Sequence, residues 1–123
     1  MDLGAFSISL AVRDLPASRD FYRHLGFEIA GGDMEADYLI MRNGEHVIGL
    51  FCGMFEDNII TFNPGWDQYA QPVDDFTDVR DLADALRAKG VEVRDQSGDD
   101  SIGPGSFVVV DPDGNPVLID QHV

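Results

Sequence analysis

The sequence predicts an α+β fold in which one strand–helix–strand–strand–strand module occurs twice. Two observations predict it. First, a helical segment that ends in Leu25-Gly26 and continues into a strand has a counterpart that ends in Lys89-Gly90. Second, the turn Asn43-Gly44 between two apolar segments is matched by Asp113-Gly114 near the C-terminus. Because internal repeats determine a fold, we expect a pair of modules that can enclose a cleft.

Length and composition set the broad class of the protein. The 123 residues predict one domain, 1–123, with module one at 1–53 and module two at 54–123. The net charge of −15 argues against nucleic acid and anionic membranes as partners. No apolar segment approaches the ~20 residues of a membrane span, and no signal peptide is visible. The single Cys52 fits a reducing compartment, so we expect a cytoplasmic protein.

Module one opens with a strand whose side chains alternate in character. Apolar side chains fall on every second residue of 6–12, and small or hydroxyl side chains fall between them. We therefore expect one face against a helix and one wetter face. The small, partly polar face consists of Ser7, Ser9 and Ala11.

The helix that follows has a clear start and end. Asp14 is a good N-cap, Pro16 is tolerated in the first turn, and Gly26 is a suitable residue just beyond the last turn. A short strand is predicted at 27–30, followed by a turn at 31–33.

A hairpin completes module one. The dipeptide Asn43-Gly44 is a strong signal for a two-residue turn, and it joins predicted strands at 38–42 and 46–52. A turn centred on this dipeptide pairs Leu39 with Ile48.

Module two repeats these elements around an insertion. The acidic segment 64–75, which contains Trp66, has no counterpart in module one. The helix at 78–89 places apolar side chains inward at helical spacing, and Arg80 is within i,i+4 reach of Asp84. The predicted strands of module two lie at 58–63, 91–95, 106–110 and 116–121.

Several phrases of this sequence resemble the vicinal oxygen chelate superfamily, which includes glyoxalase I, bleomycin-resistance proteins, fosfomycin-resistance enzymes and extradiol dioxygenases. The resemblance covers nearly the whole chain and implies two modules whose strands curve into an open, mixed β-sheet barrel with the helices outside. It also implies a ligand cleft and a homodimer. The phrases that carry it are 10–15, Phe21-Tyr22, Leu25-Gly26-Phe27 and Asp111-Pro112-Asp113-Gly114-Asn115.

In the enzymes of that superfamily, the cleft holds a divalent metal bound by His, Gln or Glu. The resemblance places three of these positions at Ser7, Ile48 and Leu118, and a further one near Asn58 or Ile60. A hydroxyl binds a divalent ion weakly, and an aliphatic side chain has no lone pair to offer. We therefore expect no metal and no other cofactor, with the ligand held by shape and contact.

Asp120 and His122 form the best remaining metal-binding pair, since i,i+2 spacing puts them on the face of Leu118. A pair falls short of the three protein ligands of a usual catalytic metal, and a terminal strand end is often frayed. If the protein is a metal-dependent enzyme of this superfamily, its metal would need His46 or Glu45 as a ligand in addition to Asp120 and His122, or ligands from a partner chain.

Trp66 follows Pro-Gly in a polar insertion, where a large aromatic side chain calls for an explanation. It is either an aromatic wall that holds a cation on its face, with Asp120 as the counter-charge, or a contact that packs the insertion onto the barrel or a dimer partner.

The predicted function is metal-independent binding of a small, partly apolar molecule, a cation in one version, as in drug sequestration by bleomycin-resistance proteins. One alternative is a metal-dependent lyase, isomerase or dioxygenase. Another is a dimerisation module with a filled cleft. Phe107 is counted among the ligand contacts because the pairing of the second hairpin is expected to place it on the face of Leu118. The predicted ligand contacts are Ser7, Ser9, Leu39, Ile48, Leu50, Asn58, Ile60, Trp66, Phe107, Leu118 and Asp120.

Overall fold

The computed structural model describes residues 1–98 and 101–123. The chain divides into two compact units. The first unit is Ser7–Ile59; the second unit is Met1–Phe6 together with Ile60–Val123. The order of elements is strand, helix and three strands, and then the same order again. The predicted pair of βαβββ modules is therefore confirmed.

The first unit has a mixed four-stranded arrangement in the order β2-β3-β4-β1. Strand β1 runs parallel to β4, whereas β3 is antiparallel to both β2 and β4. A 3-10 turn at Met34–Ala36 joins β2 to β3. The elements are β1 (Ala5–Val12), α1 (Leu15–His24), β2 (Glu28–Asp33), β3 (Tyr38–Asn43) and β4 (His46–Cys52).

Helix α1 begins and ends as its sequence predicts. The Asp14 carboxylate accepts a hydrogen bond from the Ala17 amide at 3.0 Å, which satisfies one of the free donors of the first turn. Gly26, with a φ of +92°, follows the last turn, where a residue without Cβ is favoured. The buried core beneath α1 consists of Leu15, Leu39, Met41 and Leu50.

Two local predictions in the first unit are wrong. The hairpin pairs Asn43 with His46 and Leu39 with Leu50, so the turn residues are 44 and 45 and Leu39 does not pair with Ile48. The segment 31–33 is not a turn but the end of β2, after a register shift between Ile29 and Gly31. Such a bulge takes up the extra residue within a strand.

The second unit repeats the arrangement in the order β5-β8-β7-β6, with β5 parallel to β8 and both other pairs antiparallel. Strand β5 begins at Ile59, the last residue of the first unit. Strand β6 begins at Arg94, three residues later than predicted. The elements are β5 (Ile59–Asn63), α2 (Val79–Ala88), β6 (Arg94–Ser97), β7 (Gly105–Val110) and β8 (Pro116–Gln121). The core beneath α2 consists of Val79, Leu82, Ala83, Phe107 and Ile119. Within the described ranges, neither α1 nor α2 reaches the length and apolarity of a membrane span.

A buried carboxamide connects the start of α2 to the C-terminus. Gln121 is 1% exposed, and its Oε1 accepts the amide hydrogen of Val79 at 2.8 Å. Its Nε2 donates to Asp78 Oδ2 at 3.1 Å and to the carbonyl oxygens of Gly103 and Val123, each at 2.9 Å. Buried polar groups need such partners, so Gln121 holds three segments together.

Arg80 extends this network. Its guanidinium lies 3.1 Å from Asp78 and donates to the carbonyl oxygens of Gly98 and Gly103, both at 3.2 Å. The predicted pairing with Asp84 is wrong, because Asp84 pairs with Arg87 at 3.4 Å. Burial raises the pKa of Asp78, but hydrogen bonds from the Arg80 amide, from Gln121 and from the Arg80 side chain outweigh it and lower that pKa.

Replacing Gln121 by Leu is expected to reduce the free energy of unfolding by about 2–4 kcal/mol, because the Val79 amide and the Asp78 carboxylate lose a buried partner. Urea unfolding followed by circular dichroism measures the change. The control is Gln71→Leu on the exposed insertion, where an effect within about 0.5 kcal/mol is expected. Equal losses in the two variants would show that Gln121 has no special structural role.

Candidate functional site

The strand registers decide which side chains in the first unit face α1. Residues directly opposite on neighbouring strands point to the same side of a sheet. Ile48 lies opposite Ile8 and packs against the core beneath α1, and Leu39 and Leu50 are part of that core. The structure therefore does not bring these three predicted ligand contacts together with Ser9, whose strand neighbour is Gly49.

The other face of the first unit carries an aromatic stack. The rings of Tyr38 and Phe51 lie parallel within 4° at 5.8 Å, and Phe51 contacts Phe55 at 5.3 Å. A Cβ added to Gly49 would lie 2.4 Å from the Phe51 ring, so the glycine makes room for this ring beside Ser9. Sequence reasoning missed this feature, although a glycine inside a strand often marks a close approach.

The second unit separates its predicted residues in the same way. Phe107 is opposite Ile119 and is fully buried beneath α2. Leu118 is opposite Val108 and Thr61, on the face that points away from α2. The prediction that the hairpin puts Phe107 on the face of Leu118 is therefore wrong. Ile60 alternates with Thr61 and belongs to the face of Phe107.

The structure brings together three predicted residues at the end of β8. Asp120 shares the face of Leu118, and its Oδ2 lies 3.2 Å from His122 Nε2. The His122 ring stacks on Trp66 with a centroid separation of 4.4 Å and an angle of 7°. We call this group the Trp66 cluster. One face of the indole is thus already covered by an imidazole.

The insertion holds Trp66 in place through backbone and side-chain hydrogen bonds. The Trp66 amide donates to the Asn63 carbonyl at 3.2 Å, and Asn63 Nδ2 donates to the Asp120 carbonyl at 2.8 Å. The Val73 amide returns to the Gly65 carbonyl at 2.9 Å. The extra segment of module two therefore positions the indole against the end of β8.

The Trp66 cluster favours a positive charge on the imidazole. The hydrogen bond that His122 donates to the Asp120 carboxylate raises the pKa of His122, although partial burial lowers it, and the net shift is upward. A protonated imidazole on an indole face also makes a cation–π contact. When His122 is protonated, it is therefore paired with both Asp120 and Trp66.

Asn58 comes directly before β5. Its Oδ1 accepts the amide hydrogen of Ala11 on β1 at 3.0 Å, and the residue lines a groove together with residues of β1 and α1.

The residues present do not fit the divalent metal that the resemblance implies. In the part of the chain that the structure describes, no group of three His, Cys, Asp or Glu side chains could hold an ion. Asp120 and His122 supply two donors that already bind each other. The three positions that the resemblance assigns to the enzymes' ligands carry a hydroxyl and two aliphatic side chains, and one of these, Ile48, points toward α1.

Comparison with known families agrees with this architecture. Residues 4–119 match the Glyoxalase/Bleomycin resistance protein/Dioxygenase superfamily, and the chain belongs to that superfamily. The predicted resemblance and the α+β fold class are thereby confirmed. No curated protein matches the sequence.

Solved structures with the same fold have low sequence identity. A superfamily member from Vibrio splendidus 12B01 is 16% identical with a TM-score of 0.67, and the match covers 94% of this chain and 97% of that one. Methylmalonyl-CoA epimerase from Streptomyces coelicolor is 20% identical with a TM-score of 0.61, covering 99% and 96%. An extradiol ring-cleaving dioxygenase from B. fuscum is 20% identical with a TM-score of 0.59, covering 98% of this chain and 32% of that one. At these identities the likeness shows the fold alone.

The fluorescence of Trp66, the only tryptophan in the chain, is expected to report the protonation of His122. A stacked imidazolium quenches indole emission more strongly than neutral imidazole, so emission rises as the pH increases through the pKa of His122. Asp120→Asn replaces the charged acceptor with a neutral amide oxygen, which weakens the interaction that raises this pKa, so the transition moves to lower pH. The interaction of protonated His122 with Asp120 also stabilises the fold. This stabilisation is fully present below pH 6.5, the pKa of histidine in the unfolded chain, and it is lost as the pH rises through the pKa of His122 in the folded protein.

The control for this titration is His24→Gln, which removes an exposed histidine elsewhere and should leave the emission curve unchanged. His122→Gln should abolish the transition. A transition that persists in His122→Gln would show that another group quenches Trp66.

Proposed function

We propose that this superfamily member binds a small, partly apolar molecule without a metal ion or other cofactor, on the sheet face of the second unit that carries Leu118 and Asp120. One observation carries the proposal. Leu118 occupies the position that the resemblance assigns to an acidic metal ligand, and its neighbours across the strands are Val108 and Thr61. Such a surface offers hydrophobic contact rather than coordination.

The polar end of this face supports a preference for cations. Asp120 is the carboxylate next to Leu118 on the same face, 32% exposed at its side chain. The His122 ring lies next to Asp120 and stacks on the indole of Trp66. Apolar walls with a few placed polar groups are typical of ligand sites, and the net charge of −15 attracts cations over longer distances.

The competing function is a metal-dependent lyase, isomerase or dioxygenase. Solved neighbours with the same fold include an epimerase and a dioxygenase. That chemistry needs an ion held by about three protein ligands, and the described residues of this chain supply the pair Asp120 and His122 and no third donor beside them.

Metal analysis separates the two functions. Protein purified without chelator is expected to contain far less than one equivalent of nickel, zinc, iron or manganese, and EDTA should leave its melting temperature unchanged. A tightly bound equivalent that is needed for ligand binding would refute the proposal. Binding itself is measured by a melt with 4-tert-butylphenol, since a ligand at about 100 times its Kd stabilises by about 2.7 kcal/mol. Leu118→Glu should remove that stabilisation.

The cationic version of the proposal predicts a pH dependence. Binding of (4-hydroxyphenyl)trimethylammonium is expected to strengthen as the pH rises through the pKa of His122, because loss of the His122 proton frees the charge of Asp120 for the ligand. The neutral isostere 4-tert-butylphenol should bind equally at both pH values. Isothermal titration calorimetry measures both Kd values.

Two variants make this comparison specific. Asp120→Asn should weaken the cation about tenfold, an energy of about 1.4 kcal/mol, and leave the neutral isostere unchanged. His122→Gln should remove the pH dependence. If the isostere binds and the cation binds no better at high pH, the site is apolar but not selective for cations.

A further inference from the structure

We infer a second small-molecule site, distinct from the one proposed above and built from the first unit alone. It is the groove between α1 and β1, and we propose that it takes a neutral, single-ring aromatic molecule with a carbonyl group. The groove has a volume of about 420 Å³, within the range of about 300–1,000 Å³ typical of ligand sites.

The floor and one wall of the groove are apolar. Leu10 and Val12 form the floor from β1, and Phe21 and Tyr22 form the wall from α1. Phe21 is 57% exposed, so its ring is accessible to a ligand in the groove. A ligand ring against this wall would bury apolar surface that the unit itself leaves in water.

The aromatic wall is held rigidly. Tyr22 meets Phe27 edge to face at 5.8 Å and 81°, and meets Phe21 in the same manner at 5.1 Å and 87°. Aromatic pairs favour this geometry over a face-to-face sandwich. Because Tyr22 is fixed between two rings, the wall needs little ordering when a ligand binds, which preserves affinity.

The rim of the groove presents a hydrogen-bond donor. Asn58 Oδ1 accepts the Ala11 amide hydrogen at 3.0 Å, and that bond fixes which end of the carboxamide carries the hydrogens. Asn58 lines the groove, and its Nδ2 has two hydrogens that can be donated to a carbonyl oxygen. Ser18 adds a hydroxyl on the α1 side.

Charge selects a neutral ligand. None of the groove residues carries an ionised side chain; the groove is lined by Leu10, Ala11, Val12, Ala17, Ser18, Phe21, Tyr22 and Asn58. A carboxylate would enter without a counter-charge in a chain of net charge −15 and would lose its hydration. Among the lining residues an ammonium would find no carboxylate, and the Asp14 carboxylate beside Ala17 already accepts the Ala17 amide hydrogen. Benzamide has the required ring, carbonyl and neutrality.

The test is a benzamide titration of the full chain followed by ¹H–¹⁵N shift perturbation. Perturbed amides are expected around Ala11, Ser18 and Phe21. Benzoate, with the same shape and a negative charge, and cyclohexanecarboxamide, without the aromatic ring, should each bind at least about fivefold more weakly. Equal affinity for benzamide and benzoate, or perturbations confined to other segments, would overturn the proposal.

Matched variants locate the contacts. Asn58→Asp keeps an oxygen for the Ala11 amide but removes the Nδ2 donor, and Phe21→Ala removes the exposed wall. Each should weaken benzamide about fivefold or more. Leu25→Ala is the control, since Leu25 is 55% exposed on the same helix but lies outside the groove; it should bind benzamide normally.

Sedimentation velocity without benzamide tests the other occupant, a second copy of the chain. Sedimentation that does not change between wild type and Phe21→Ala supports the small-molecule site. If the wild-type chain forms an oligomer that does not bind benzamide, and Phe21→Ala dissociates that oligomer, then a second copy of the chain covers the groove. Leu118→Glu should leave benzamide binding unchanged, so failure of either proposal is distinguishable from failure of the other.

Discussion

The parallel pairing of the first and last strands in each module determines every face of this protein. In the first unit, Ile8 lies opposite Ile48; in the second, Thr61 lies opposite Leu118. Because side chains alternate along a strand, a shift of one residue would exchange the helix-facing set with the opposite set. The apolar cores beneath α1 and α2 fix the register, since a shift would turn Met41 and Ile119 out of their cores and bring polar or small side chains in. The side chains on the opposite face are therefore the ones that remain outside the two cores.

This constraint explains which expectations could come from the sequence. The repeat, the helix caps and the order of elements along the chain depend on local signals such as Asp14 and Gly26, and the sequence predicts them with small errors in boundaries. The exact partners depend on pairing across strands. A turn centred on Asn43-Gly44 pairs Leu39 with Ile48, two residues from its observed partner Leu50. The observed register of the second hairpin puts Phe107 opposite Ile119 and not on the face of Leu118.

The network around Gln121 lay beyond sequence reasoning for a different reason. A glutamine near a chain end has no local pattern that distinguishes a buried connector from an exposed side chain. Its role arises from contacts with Val79 and Gly103, which are distant in sequence. Gly49 is an intermediate case: a glycine in a strand signals a close approach, but only the structure shows that the approaching group is the Phe51 ring.

The end of β8 is where the proposed function differs from that of a metal-dependent enzyme. An acidic residue at the position of Leu118 would leave a negative charge on the sheet face that calls for a cation. Here the carboxylate stands two residues later, at Asp120, and it lies 3.2 Å from His122 Nε2, whose ring is stacked on Trp66 of the insertion. When His122 is protonated, the carboxylate has a counter-charge within the second unit, and it loses that counter-charge as the pH rises through the pKa of His122. In the proposed function, a metal ion would have to displace the His122 ring from Asp120 and would still lack a third ligand among the described residues, whereas an organic cation needs only the carboxylate and the apolar surface beside it.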